Sequence, residues 1–83
     1  MRLFTKEQFG IRLKGLRQKR REAQNVLGAL LGVSTAQISD IENGKASTTL
    51  EKLAIICEHY QVSADYLLGL TGAPVSFHRK DEG

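Results

Sequence analysis

The segment 24–43, QNVLGALLGVSTAQISDIEN, constrains this chain more than any other. Leu27, Leu30 and Leu31 fall at spacings of three and four, which predicts a short helix with one apolar stripe. Gly32 ends that helix, because glycine enters the left-handed conformation at a C-terminus with little steric cost. Val33 is placed to pack under the turn, and Ser34 to cap a second helix through its hydroxyl. In that second helix the apolar residues are Ile38 and Ile41, so Thr35, Ala36, Gln37, Ser39 and Asp40 form its open surface. A helix held by two isoleucines and showing small polar groups outward suits insertion into a groove. The DNA major groove, about 12 Å wide, accepts one.

Three further helices surround this unit. Thr5 and Gln8 have the spacing of a capping box, and Phe4 and Phe9 that of a hydrophobic staple, so a first helix begins there. Phe9, Leu13 and Leu16 give it a buried stripe to about Arg20. Gly10 and Gly15 within it either weaken the helix by roughly 1 kcal/mol each relative to alanine or mark close packing. After a loop over 44–48, Thr49 or Thr48 caps a fourth helix whose expected inner face is Leu50, Leu53, Ala54 and Cys57. Ser63 caps a short last helix carrying Tyr66, Leu67 and Leu68, and Gly69 ends it. Residues 71–83 are polar and without periodicity, which predicts a loose tail or a linker.

Together these pieces resemble the helix-turn-helix regulators of the lambda-repressor and Cro type, the Xre family. The resemblance is carried by Gln24, Gly28, Gly32, Val33, Ile38 and Ile41. It is extended by the segments RLKGLR at 12–17, IENGK at 41–45, LEKL at 50–53 and VSADYLL at 62–68. It covers about residues 9 to 70. It implies an all-α fold: a compact five-helix DNA-binding domain over 1–70, with the helix-turn-helix at 24–43 and the tail at 71–83.

The resemblance also implies roles. Gln24 sits where the N–H groups and dipole of a helix start favour a phosphate, and the matching glutamine contacts the DNA backbone. Asn43 matches another phosphate contact. Ser34, Lys45 and Ser47 add two hydroxyls and a charge to that set, which positions the protein without reading sequence. For Asn43 followed by Gly44, a plain helix-ending turn is the alternative reading, and the two are compatible. Base reading falls to Thr35 and Ala36, with Gln37, Ser39 and Asp40 behind them. Thr35 or Ala36 suits a thymine methyl, Gln37 suits adenine in a bidentate contact, and Asp40 suits cytosine N4. Asp40 is otherwise a solvated or internally paired carboxylate. No arginine lies on this surface, so the commonest guanine contact is missing. Arg17 and Glu42 match an ion pair joining helix one to the end of helix three; the alternative is two unrelated surface charges. The cluster Lys19, Arg20 and Arg21 is expected to serve the C-terminal dipole of helix one.

Glu22 and Ala23 depart from the family pattern of an apolar residue and a threonine cap. Helix two therefore lacks its usual side-chain cap, a deficit of about 1 kcal/mol, and Glu22 is expected near the DNA-facing side.

Composition narrows the classes. Eighty-three residues with 41% hydrophobic content make one small globular domain. The net charge of +3 and a pI near 9.3 mildly favour a polyanionic partner. No apolar run approaches the ~20 residues of a membrane span, and MRLFTKEQF is no signal peptide. A single cysteine, Cys57, makes no internal disulfide and fits a reducing cytoplasm. Cys57, His59 and His78 show no metal-ligand spacing, and no phosphate loop or catalytic constellation is present. No enzyme, cofactor, metal or small-molecule substrate is implied.

The expected function is sequence-specific binding of a double-stranded DNA operator by a transcriptional regulator. It is expected to repress from an inverted repeat, as a homodimer joined around Tyr66–Leu70 or through the tail. The alternative is a protein-interaction module of the same fold, an antitoxin or anti-repressor with weak DNA binding.

Overall fold

The computed structural model describes residues 4–73, and the expected tail beyond Ala73, including His78, lies outside them. The described residues form five helices and no strand: α1 (Lys6–Lys19), α2 (Gln24–Leu31), α3 (Thr35–Glu42), α4 (Leu50–Tyr60) and α5 (Ala64–Leu68). Each helix supplies one fully buried aliphatic side chain: Leu13, Leu27, Ile38, Ile56 and Leu67. Burying each contributes roughly 1.5–3 kcal/mol, so the core is shared evenly among all five elements. Phe9, Leu31, Ile41, Cys57, Tyr60 and Val62 complete it.

The helix starts follow local chemistry. Thr5, Ser34, Thr49 and Ser63 each accept a hydrogen bond from the backbone N–H three residues on. Thr49, not Thr48, is the cap of α4; the Thr48 hydroxyl oxygen is buried without a partner. The Phe4–Phe9 staple forms, its rings edge-on at 6.1 Å. The capping box of α1 is only half made, because Gln8 turns its carboxamide toward Gly69 at the end of α5.

The helix ends share one device. At each, a left-handed residue ends the turn and the residue after it donates its backbone N–H to a carbonyl five residues back: Glu22 to Arg17, Val33 to Gly28, Lys45 to Asp40, Val62 to Cys57 and Leu70 to Asp65. Gly32 supplies the left-handed residue after α2. Gly44 supplies it after α3, where a β-carbon would also meet the backbone of Glu7. After α1 and α4 the residue is Arg21 or Gln61, each at a steric cost that glycine avoids.

Three apolar assignments change. Leu30 is exposed, because α2 buries Leu27, Gly28 and Leu31 instead. In α4 the inner face is turned from the expected one: Leu50 is 81% exposed and Ala54 is exposed, while Ile56, Cys57 and Tyr60 are buried. The stripe 53, 56, 57, 60 fits helical spacing as well as 50, 53, 54, 57, and contact with α2 and α5 selects it. The two glycines of α1 also differ. A β-carbon at Gly10 would collide with the carbonyl oxygens of Ile41 and Glu42, so Gly10 is the point where α1 crosses the end of α3. At Gly15 a β-carbon would meet nothing within 4 Å.

Candidate nucleic-acid interface

The outward surface of α3 follows from its two anchors. Ile38 and Ile41 are buried, which leaves Thr35, Ala36, Gln37 and Asp40 exposed and Ser39 half-buried. Ser34 and Gln37 form a complete capping box. The Ser34 hydroxyl accepts from the Gln37 backbone N–H at 3.1 Å, and the Gln37 Oε1 accepts from the Ser34 N–H at 3.0 Å. The carboxamide oxygen is one of the two atoms a bidentate adenine contact uses, and here it serves the backbone. Asp40 is exposed and takes part in no ion pair among the described residues.

Beyond α3, Gly44 donates to the Ile41 carbonyl at 3.2 Å and Lys45 to the Asp40 carbonyl at 2.8 Å. Asn43, Lys45 and Ser47 are all exposed in and just after this turn. Asn43 Nδ2 donates to Ser39 Oγ at 3.3 Å, so Asn43 is both the cap of the helix and a surface amide.

Behind that surface lies a buried polar knot. Glu42 ends α3 with its side chain 1% exposed, and Arg17 of α1 grips both its oxygens: Nε to Oε2 at 2.6 Å and Nη2 to Oε1 at 3.1 Å. The bond to Glu42 outweighs burial and holds the Arg17 pKa above its ordinary value. Gln24, at the start of α2, donates its Nε2 to the same Oε1 at 3.0 Å. Arg17 also donates from Nη1 to the Glu22 carbonyl at 2.7 Å. One carboxylate thereby gathers the end of α3, the start of α2 and the last turn of α1.

Glu22 itself lies elsewhere than expected. Its carboxylate turns away from α3 to α4, accepting from the Tyr60 hydroxyl and lying 2.7 Å from His59 Nε2. Burial raises its pKa, but the bonds from Tyr60 and His59 and the charge of Arg20 overcome that and leave it below the ordinary value. Burial and the bond to Glu22 push the Tyr60 hydroxyl well above its usual value. Sequence reasoning missed this contact. The available signal was a tyrosine on a buried stripe, whose hydroxyl needs a partner. Gln24, expected to face phosphate, sits at the start of α2 and spends its amide on Glu42.

Residues 8–70 match the family model described as a helix-turn-helix domain. The chain belongs to the helix-turn-helix family, in its Xre, phage-repressor-like branch. Among relatives of this domain, the transcriptional regulator YobD of Bacillus subtilis is 33% identical over 63 residues, 76% of this chain and 56% of that protein. The transcriptional regulator PrpR of Mycobacterium tuberculosis is 32% identical over 65 residues, 78% of this chain and 13% of PrpR. The chain thus spans a part of each of these relatives. Among solved structures, the P22 c2 repressor in complex with a synthetic operator superposes with a TM-score of 0.67. It is 35% identical, and the match covers 72% of this chain and 91% of that one. These helix-turn-helix relatives are transcriptional regulators and a repressor, not enzymes. Among the described residues no helix is long and apolar enough to cross a membrane.

Proposed function

We propose that this helix-turn-helix domain represses transcription in the cytoplasm by binding an inverted-repeat operator as a homodimer. The observation that carries the reading is the recognition helix: Ile38 and Ile41 pin it to the core, and its outward face is made of exposed Thr35, Ala36, Gln37 and Asp40 with half-buried Ser39. Thr35 and Ala36 read thymine methyls, and Asp40 accepts from cytosine N4. Gln37 contributes through its free amide hydrogens. Asn43, Lys45 and Ser47 in and just after the turn beyond α3, and Gln24 and Ser34 at the two helix starts, contact phosphates. Gln24 and Glu42 set the angle at which α2 and α3 meet the duplex. The synthetic operator bound by the P22 c2 repressor supports the same docking.

Dimerisation uses the α4–α5 side. Leu53, Cys57 and Ala64, with exposed Leu50 and Ala54, line a cleft of about 310 Å³ there. Leu70 is 66% exposed just past α5. Two protomers sharing this apolar surface place their recognition helices on half-sites about one helical turn apart.

Selection from a random duplex library at ~50 and ~200 mM salt tests the reading, since phosphate contacts weaken steeply over that range. Enrichment of an inverted repeat at both salts, lost in Lys45→Glu, is the expected result. Binding without sequence enrichment that vanishes as salt rises would overturn it. The absence of arginine on α3 and an exposed, unpaired acid at Asp40 favour a second reading, a protein-binding module of the same fold. That reading predicts no enrichment and no effect of Lys45→Glu.

A further inference from the structure

A second concave site lies on the side of the molecule formed by α1, α4 and α5. It is a cleft of about 450 Å³, within the range that holds a small ligand or a few side chains, and none of its lining residues comes from α2, α3 or the turn after α3. Its floor is apolar, built from Leu16 and buried Val62, and it is opened by Gly15, where a side chain is missing and nothing else fills the space. Tyr60 and Tyr66 line it as well. Each ring is already held by an arginine: Arg12 lies 4.3 Å from the centre of Tyr66, and Arg20 lies 5.2 Å from that of Tyr60.

The charge is one-sided. Lys19 and Arg20 line the cleft, and neither is in an ion pair among the described residues. The nearby Glu22 carboxylate is committed to Tyr60 and His59. Gly15 costs α1 roughly as much as any interior glycine and, unlike Gly10, returns no close packing. An aliphatic floor, aromatic walls and two cations outside any ion pair describe a receptor for an apolar side chain next to carboxylates.

We propose that this cleft docks an acidic peptide segment of a partner protein, one that seats an aliphatic or aromatic side chain over Gly15 and places carboxylates on Lys19 and Arg20. Charge complementarity selects this occupant. The cleft is too short and its cations too few to track a nucleic-acid backbone, which needs a run of phosphate contacts. Docking here leaves the recognition helix free, so partner and operator bind together.

The chain offers its own reporter. Tyr60 and Tyr66 are its two tyrosines and it has no tryptophan, so intrinsic fluorescence reads this cleft. The probe is a synthetic peptide of about 12 residues, alternating glutamate and aspartate with leucine and phenylalanine, at up to about 1 mM. A basic peptide of the same apolar content and a single-stranded DNA oligomer of equal charge serve as controls. A saturable change with the acidic peptide alone is expected. It should weaken about ten-fold in Lys19→Glu and in Gly15→Leu. Gly15→Leu fills the floor while replacing a poor helix former with a good one, and circular dichroism checks that it folds. Operator selection by both variants should match the parent chain. No saturable change, a change unaltered by either variant, or an equal response to the DNA oligomer would each overturn the proposal.

Discussion

The recognition helix α3 begins with two reciprocal hydrogen bonds between Ser34 and Gln37, all within four residues of sequence. Its partner α2 begins at Ala23, with no side-chain cap at all. Yet both starts are held. Gln24 is bonded to Glu42 from the far end of α3, and Glu22, just before the start, is bonded through its carbonyl to Arg17 and through its carboxylate to α4. One helix start is secured by local chemistry, the other by one bond reaching 5 positions back and others reaching 18 to 38 positions ahead in the chain. The difference teaches that a missing cap need not loosen a helix-turn-helix. A tertiary knot can stand in for it, and it ties the angle of the two helices to the rest of the core.

The strongest way to break the comparison is to cut the knot. Arg17→Ala leaves Glu42 buried without its cation, and such a loss costs about 3–5 kcal/mol. Chemical denaturation should show that drop, and operator affinity should fall with it because α2 and α3 lose their common anchor. Locally, Ser34→Ala removes the cap of α3 and should cost about 1 kcal/mol by the same assay. The opposite substitution sharpens the contrast. Ala23→Ser gives α2 the cap it lacks and should stabilise by up to about 1 kcal/mol, and by less if the knot already holds the start rigid. The smallest effect concerns pH. The Glu22 pKa is lowered in the folded state, so its contribution is complete above the ordinary value of 4.5 and is lost as pH falls through that value toward the folded one. A thermal melt series from pH 7 to about 3 should show a loss on the acid side that Glu22→Gln removes.

Much of this molecule is legible in the chain because its rules are short-range. Thr5, Ser34, Thr49 and Ser63 cap the helices expected of them, and Gly32, Gly44 and Gly69 stand where left-handed residues end them. Ile38 and Ile41, the apolar residues of α3, leave no second way to seat it. The exposed face of the candidate interface follows from that alone. Where a helix carries surplus apolar residues the pattern is ambiguous. Leu30 and Leu31 compete in α2, and Leu50 competes with Ile56 in α4; helical spacing accepts either set, and packing chose Leu31 and Ile56. The Gln8 side chain shows the same limit, since the contact at Gly69 lies 61 positions away and displaces the local capping bond.

Spacing and end chemistry along the sequence therefore determined that this chain makes five capped helices, that two of them form a helix-turn-helix, and which residues of the recognition helix face outward. These outcomes depend on backbone hydrogen bonds and side chains within one or two turns. Tertiary structure alone decided that Gly10 marks a helix crossing while Gly15 opens a cleft, that Glu22 serves α4, and that Gln24 joins Arg17 on Glu42. Each of these depends on which distant group arrives to fill a space or accept a proton. Burial makes that choice through the whole core at once, because an unpaired charge or an empty volume inside it is costly wherever in the chain its partner lies.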